Sequence, residues 1–91
     1  MNYEDTFIDH EKRRYEAAWD GFSTGNFGPM YEYINKKLGE IDANFFSMQQ
    51  KRWKKVFCAR IVYLYHPDKE KAEKATKYYN KHKGELLWEK H

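Results

Sequence analysis

The segment from Val56 to Tyr65 constrains the fold more than any other part of the sequence, because Arg60 is its only charged residue. A helix that is apolar nearly all round is typically enclosed by other helices. We therefore predict that a long helix, running from Asp42 to Tyr65, lies at the centre of the fold. The apolar segment is half as long as the ~20 residues that a membrane-spanning helix needs, so no contact with a membrane is expected.

Apolar residues recur at helical spacing through the rest of the chain, and no stretch alternates for long enough to indicate a β-strand. A first helix is predicted from Tyr3 to Asp20, with Gly21 as its stop. A glycine-containing loop near residues 21–29 leads to a second helix. This helix begins at Pro29, a residue that is favoured in the first turn.

Two further residues complete the predicted architecture. Pro67 ends the third helix and opens a fourth, because the residue before a proline avoids the helical conformation. Gly84 then separates a tail at residues 85–91. The predicted fold class is therefore all-α: a small single-domain bundle, spanning residues 1–91, of three long helices plus one short helix.

The net charge of +3 is distributed unevenly along the 91 residues. Residues 1–50 carry five Lys or Arg against nine Asp or Glu, which gives −4, whereas residues 51–91 carry twelve against five, which gives +7. A basic half is typical of a protein that binds an anionic partner, either DNA or RNA or an acidic protein surface. Attraction between the two halves of one domain would explain the same asymmetry.

Two clusters of basic residues are the predicted contacts to an anionic partner. The cluster on the third helix is Lys51, Arg52, Lys54 and Lys55. The stripe on the fourth helix is Lys74, Lys77 and Lys81. Glu70 and Glu73 precede two residues of this stripe by four positions, which is the favourable order for ion pairs, so a solvated helix face is the simpler interpretation there.

The sequence indicates no enzyme, no metal site and no cofactor. Cys58 is the single cysteine and lies in the apolar segment, where burial raises the pKa of a thiol and makes it inert. None of the four histidines is spaced four residues from another, so metal-ligand spacing is missing. Arg60 is expected to form a structural ion pair, because a buried charge without a partner is costly.

The start of the chain is polar and acidic, which predicts no signal peptide. Together with the single cysteine, this favours a cytoplasmic location. The small size and the frequent use of Lys, Tyr and Asn also resemble those of bacteriophage accessory proteins.

Three pairs of tyrosines are spaced so closely in the sequence that the two members of a pair cannot lie on the same face of a helix. At least one member of each pair is expected at the surface or in an interface, where tyrosine is favoured, and a homodimer is one way to cover such faces. The pairs are Tyr31 with Tyr33, Tyr63 with Tyr65, and Tyr78 with Tyr79.

The sequence Tyr65-His66-Pro67-Asp68-Lys69 follows a basic helix and precedes another helix. It resembles the signature loop of J-domains, the co-chaperone modules that stimulate the ATPase of Hsp70. The resemblance covers residues 52–79 and implies that His66, Pro67 and Asp68 contact the chaperone, assisted by basic residues of the preceding helix. J-domains usually have a shorter preceding helix and a longer loop after the tripeptide. Proline and aspartate would also serve here as helix stop and start.

The leading hypothesis is a small non-enzymatic binding protein that docks through its basic C-terminal half on an anionic partner. The first alternative is a J-domain-like co-chaperone or Hsp70-interacting protein. The second is a homodimeric interaction module with tyrosine-rich faces.

Overall fold

The computed structural model describes the backbone of residues 3–86 and the side chains of residues 11–84 and 86. Over that range the chain is all-α, as predicted. It contains α1 (Tyr3–Thr24), α2 (Gly28–Lys37), α3 (Glu40–Met48), α4 (Lys51–Tyr65), α5 (Lys69–His82) and a closing 3-10 turn (Lys83–Glu85). None of these helices is both long enough and apolar enough to cross a lipid bilayer.

The first helix continues beyond its predicted end, because Gly21 is a packing position and not a helix stop. Gly21 is buried, and a Cβ atom there would lie 2.7 Å from the Sγ atom of Cys58 in α4. The helix ends at Thr24, and Gly25 follows with a φ of +79°, a left-handed value that favours glycine. The loop is therefore residues 25–27, inside the predicted range near residues 21–29 but shorter, because α1 extends past Gly21 and α2 begins at Gly28.

The predicted long helix from Asp42 to Tyr65 is two helices, α3 and α4, so the predicted number of helices is too low. The backbone is extended at Gln49 and Gln50, with ψ values of 158° and 154°. This break lets α3 pack mainly on α2 while α4 packs between α1 and α5. It also brings the rings of Phe46 and Trp53 to 6.4 Å between centroids. In a continuous helix their Cα atoms would lie about 10 Å apart along the axis.

The prediction that the apolar segment lies at the centre of the fold is confirmed for most of its length. The fully buried residues of α4 are Val56, Cys58, Ala59 and Val62. They belong to one apolar core, which also contains residues of α1 and α5. The last turn differs, because Leu64 and Tyr65 are exposed.

The start of α5 is where proline and aspartate predicted it. The Asp68 carboxylate accepts hydrogen bonds from the backbone N–H groups of Glu70, at 3.0 Å, and Lys71, at 3.3 Å. This is the usual side-chain cap of a helix N-terminus. At the other end the 3-10 turn leads to Leu86, which is fully buried. The predicted tail therefore includes a core residue, and residues 87–91 lie outside the described part of the chain.

Candidate anion-binding face

The basic residues predicted to bind an anion on the third helix lie in the first two turns of α4. They are Lys51 and Arg52, which are exposed, and Lys54 and Lys55, which are half-buried. The first turn of α4 contains no acidic residue. The helix dipole places positive charge at this end, so the dipole and the side chains have the same sign.

Lys55 links α4 to its two neighbours. Its Nζ atom lies 4.7 Å from the ring centroid of Tyr78 in α5 and 5.6 Å from that of Phe22 in α1. Both distances are in the range of cation–π attraction, which orients an ammonium group without neutralising its charge. Lys51 lies one turn earlier, at the spacing that puts two residues on one side of a helix.

Lys54 leaves α4 on a different side. Its Nζ atom lies 5.4 Å from the ring centroid of Phe27, in the loop before α2, and 5.9 Å from that of Phe46 in α3. Neighbouring residues of a helix point about 100° apart, which accounts for the divergence from Lys55. The predicted cluster is therefore divided, and only part of it faces α5.

The three lysines predicted on α5 are all exposed. Lys74 and Lys81 lie four residues before and three residues after Tyr78, so the three side chains share one side of α5. Lys77 lies next to them. We use the name basic face for the surface formed by Lys51 and Lys55 on α4 and by Lys74 and Lys81 on α5.

The lysines of the basic face have no carboxylate within 4.0 Å among the described side chains. The salt bridges Lys12–Glu16 and Glu11–Arg14 lie elsewhere, both within α1. The ion pair expected from the four-residue spacing of Glu70 and Lys74 is not formed. Ion pairs with acidic residues therefore do not neutralise this face in the part of the chain that the structure describes.

A row of half-buried aromatic rings borders the basic face. The ring centroid of Phe22 lies 5.8 Å from that of Trp19 and 5.4 Å from that of Tyr78. Tyr78 is followed by His82 at 4.4 Å, and the Nζ atom of Lys71 lies 5.0 Å from the ring centroid of Trp19. Sequence analysis missed this row, because its rings come from α1 and α5, whose contact no local spacing reveals.

The loop between α4 and α5 holds the three residues that the J-domain resemblance singles out. The ring of His66 packs 4.7 Å from that of Tyr15, and its Nδ1 atom accepts a hydrogen bond from the Asp68 N–H at 3.0 Å. Pro67 is exposed, and the Asp68 carboxylate is the cap of α5. Burial, and after it the charge of Lys71, lowers the pKa of His66 below its ordinary value of 6.5.

An open groove of about 800 Å³ lies beside this loop, between α1 and α2, and His66 forms part of its wall. Its lining contains both signs of charge, with Glu16 and Asp20 on α1 and Lys36 and Lys37 on α2. Because both positive and negative side chains line the groove, we do not expect it to select an anion. We therefore do not include it in the candidate anion-binding site.

The structural ion pair expected for Arg60 is not formed among the described side chains. Arg60 is only half-buried, so its long side chain reaches solvent and needs no buried partner. Arg14 is an arginine that the fold does hold in place. Its Nη2 atom donates to Glu11 Oε2 at 2.6 Å, and its guanidinium carbon lies 3.6 Å from the ring centroid of Tyr65.

Cys58 is fully buried against α1, and burial raises the pKa of its thiol to about 12. A thiol with so high a pKa is a poor nucleophile at neutral pH, as the sequence predicted. Across the described residues, no group of three His, Cys, Asp or Glu side chains is placed to hold a metal ion.

Most of the paired tyrosines are at least partly buried within the fold. Tyr79 is buried and Tyr65 is exposed, and the ring centroids of Tyr63 and Tyr79 lie 5.1 Å apart. The half-buried members are Tyr31, Tyr33, Tyr63 and Tyr78. A homodimer through tyrosine-rich faces stays a hypothesis.

The basic face, the aromatic row and the loop at His66 are thus the features from which a function can be inferred. The resemblance to J-domains rests on residues 52–79 alone. No protein-family model matches the chain, and no curated protein or solved structure is significantly similar to it.

Proposed function

We propose that this protein binds nucleic acid and that the basic face makes the contacts to phosphates. The observation that carries this proposal is the position of Lys55, whose ammonium group lies over the ring of Tyr78 and not against a carboxylate. A lysine held in this way keeps its charge, so it attracts a phosphate without first breaking an ion pair. Lys51, Lys74 and Lys81 extend the same positive surface along two helices.

The aromatic row favours nucleic acid over an acidic protein as the partner. Both partners would be attracted by lysines, but aromatic rings beside lysines are the combination that binds single strands, through base stacking of about 1–3 kcal/mol per base. Trp19 and Tyr78 are half-buried beside the basic face, and we expect the bases of a bound strand to stack on these rings in place of the lysine ammonium groups that lie over them. The proposed ligand is therefore a single strand of DNA or RNA.

Binding should weaken steeply as salt is added, because each lysine–phosphate contact releases a counterion. Four contacts to a single strand predict a slope of log affinity against log salt of about −3. The affinity at about 200 mM salt would then be about 50-fold lower than at about 50 mM salt.

Fluorescence anisotropy with a labelled single-stranded oligonucleotide tests the proposal. We expect K51E/K55E to lose binding at least about tenfold, because two phosphate contacts become repulsive. The matched control is K36E/K37E, which makes the same change of charge on α2, away from the basic face. This control is expected to change the affinity by less than about threefold.

Absence of binding at low salt contradicts the proposal, and so does an equal loss in both double variants, which would indicate attraction to net charge alone. Competition with an acidic polypeptide decides the partner class. If the acidic polypeptide binds tightly at the basic face and the oligonucleotide does not, the partner is an acidic protein.

A second function, J-domain-like contact with an Hsp70 chaperone, is favoured by the placement of His66-Pro67-Asp68 at the turn of the α4–α5 helix pair. Because α4 begins at Lys51, the helix before the tripeptide is shorter than the sequence predicted, and one departure from the J-domain pattern is removed. The other departure remains, because α5 follows the tripeptide at once.

The ATPase rate of an Hsp70, measured with and without the protein, tests this second function. Stimulation by the wild type that H66Q removes, and that K36E/K37E keeps, is the expected result. An unchanged ATPase rate with the wild-type protein contradicts it.

A further inference from the structure

Among the residues whose side chains the structure describes, the most exposed apolar ones lie on α3 and just before it. Ile41, Phe45 and Met48 are 86%, 56% and 81% exposed, and their spacing of four and three residues puts them on one side of the helix. Leu38, just before α3, is 69% exposed. We use the name α3 stripe for these four residues.

The α3 stripe is not explained by the packing of the fold. The opposite side of α3 carries the buried residues Ala43 and Phe46, which already attach the helix to the core. The chain as a whole is polar, with a mean hydropathy of −1.09. Large apolar side chains left in water on such a polar protein are typical of an interaction surface.

We propose that the α3 stripe binds the α3 stripe of a second copy of this chain, in an antiparallel, two-fold symmetric contact. In this arrangement Phe45 lies against its equivalent at the two-fold axis, and Ile41 lies against the partner's Met48. The contact is self-complementary, as a two-fold dimer requires, since the Ile41–Met48 pair occurs twice, once on each side of the axis. This surface is distinct from the tyrosine-rich faces considered above, and it shares only Lys51, at its edge, with the basic face.

The charges at the two ends of α3 argue for a second copy and for its direction. The first turn of α3 contains Glu40 and Asp42, and its last turn contains no basic residue. Lys51 follows after the break and is exposed. Antiparallel packing places the acidic first turn of one copy near Lys51 of the other, whereas parallel packing would place acidic turns side by side.

The basic residues at the end of α2 do not oppose this arrangement. Lys36 and Lys37 precede the acidic turn in sequence, but they line the groove between α1 and α2. The side of α2 that meets α3 is marked by Tyr31, whose hydroxyl donates to Asn44 Oδ1 at 3.1 Å. The two lysines are therefore directed to a different side of α2 from the α3 stripe.

The contact is expected to be reversible. A standard interface buries ~800 Å² on each partner, and three side chains of a nine-residue helix, together with Leu38 before it, supply only part of this area. The protein should therefore be monomeric when dilute and dimeric when concentrated.

Sedimentation velocity on the full chain, from about 5 µM to about 500 µM, tests the proposal. The average mass should rise from 11.2 kDa toward twice that value. I41E/F45E should remain monomeric throughout. The ring of Phe45 also lies 6.0 Å from that of the core residue Trp53, so urea denaturation should first show that this variant is folded. The matched control is L64E, since Leu64 is an exposed apolar residue on α4, outside the α3 stripe; it should dimerise like the wild type.

A charge exchange tests the direction of packing. E40K and K51E should each weaken the dimer by at least about threefold, and E40K/K51E should recover most of the loss. A chain that is monomeric at every concentration overturns the proposal; if its stripe still binds an apolar dye, the stripe serves another partner. A dimer that survives I41E/F45E overturns it as well, because another surface then forms the contact.

Discussion

Gly21 in α1 and Cys58 in α4 lie so close together that no side chain fits between the two helices. A Cβ atom at Gly21 would lie 2.7 Å from the Sγ atom of Cys58 and 2.9 Å from the Cδ1 atom of Phe27. Both helices also bury alanines, Ala18 and Ala59. This close approach holds α4 against α1, and it fixes where the basic first turn of α4 emerges.

The first prediction is that G21A destabilises the protein, although alanine is the better helix former. The gain in helix propensity is about 1 kcal/mol. Overpacking of a well-packed site costs about 1–3 kcal/mol. Because the clash is with a buried sulfur atom and a packed ring, we expect a net loss of about 1 kcal/mol in the free energy of unfolding, measured by urea denaturation.

A double-mutant cycle separates this clash from other effects of the substitution. C58A removes the sulfur, so G21A/C58A should be more stable than the sum of the single variants by about 1 kcal/mol. If the stability changes of the two substitutions are purely additive, or if G21A is more stable than the wild type, the two residues are not in the contact described.

The second prediction concerns alkaline pH. Burial raises the pKa of the Cys58 thiol from its ordinary value of 9.0 to about 12. The folded state therefore favours the neutral thiol, and its contribution to stability is complete below about pH 9 and is lost as the pH rises toward 12. We expect the free energy of unfolding to fall more steeply above pH 9 in the wild type than in C58A.

The size of this difference is about 1.4 kcal/mol per pH unit for one thiol. Comparison with C58A is needed because lysines and tyrosines also titrate at high pH. A thiol reagent gives a second measurement: it should label Cys58 at pH 8 only after unfolding. Rapid labelling of the native protein would contradict the burial of this residue.

The all-α class and the central place of α4 follow from spacing and composition, because both depend on which residues are apolar. The break at Gln49 and Gln50 does not, since glutamine is an ordinary helix former. It is imposed by tertiary packing, which brings the ring of Phe46 against that of Trp53. Gly21 shows the same limit of prediction from sequence. A glycine either ends a helix or lets a second helix pack closely against it, and the outcome depends on the residues that face it in the fold.

The candidate site was predictable to a similar degree. The sequence identified the basic residues, but it treated Lys54 and Lys55 as one cluster, whereas their ammonium groups lie over the rings of different helices. Arg60 was singled out because its neighbours in sequence are apolar. Arg14, which lies on α1, is held against the ring of Tyr65 in the last turn of α4, a contact between residues far apart in the sequence.

The third prediction is a loss of stability in mild acid that depends on His66. Its pKa is lowered below 6.5 by burial and by Lys71, so the folded state favours the neutral ring. This contribution is present above about pH 6.5 and is lost as the pH falls through the lowered pKa. Proton NMR should show His66 titrating below 6.5, and H66Q should have a flatter dependence of stability on pH. Titration of His66 at or above 6.5 would contradict the packing against Tyr15.

The fourth prediction separates the structural role of Asp68 from any contact it makes with a partner. D68A removes the oxygen that accepts from the Glu70 and Lys71 N–H groups, so it should lower the free energy of unfolding by about 1 kcal/mol. D68N keeps a side-chain oxygen and should be nearly as stable as the wild type, because asparagine caps helices as well as aspartate. Urea denaturation of both variants checks this expectation, which fails if D68N is as unstable as D68A. If D68N folds normally and also stimulates an Hsp70 ATPase as the wild type does, the charge of Asp68 is needed neither for the helix cap nor for the chaperone contact.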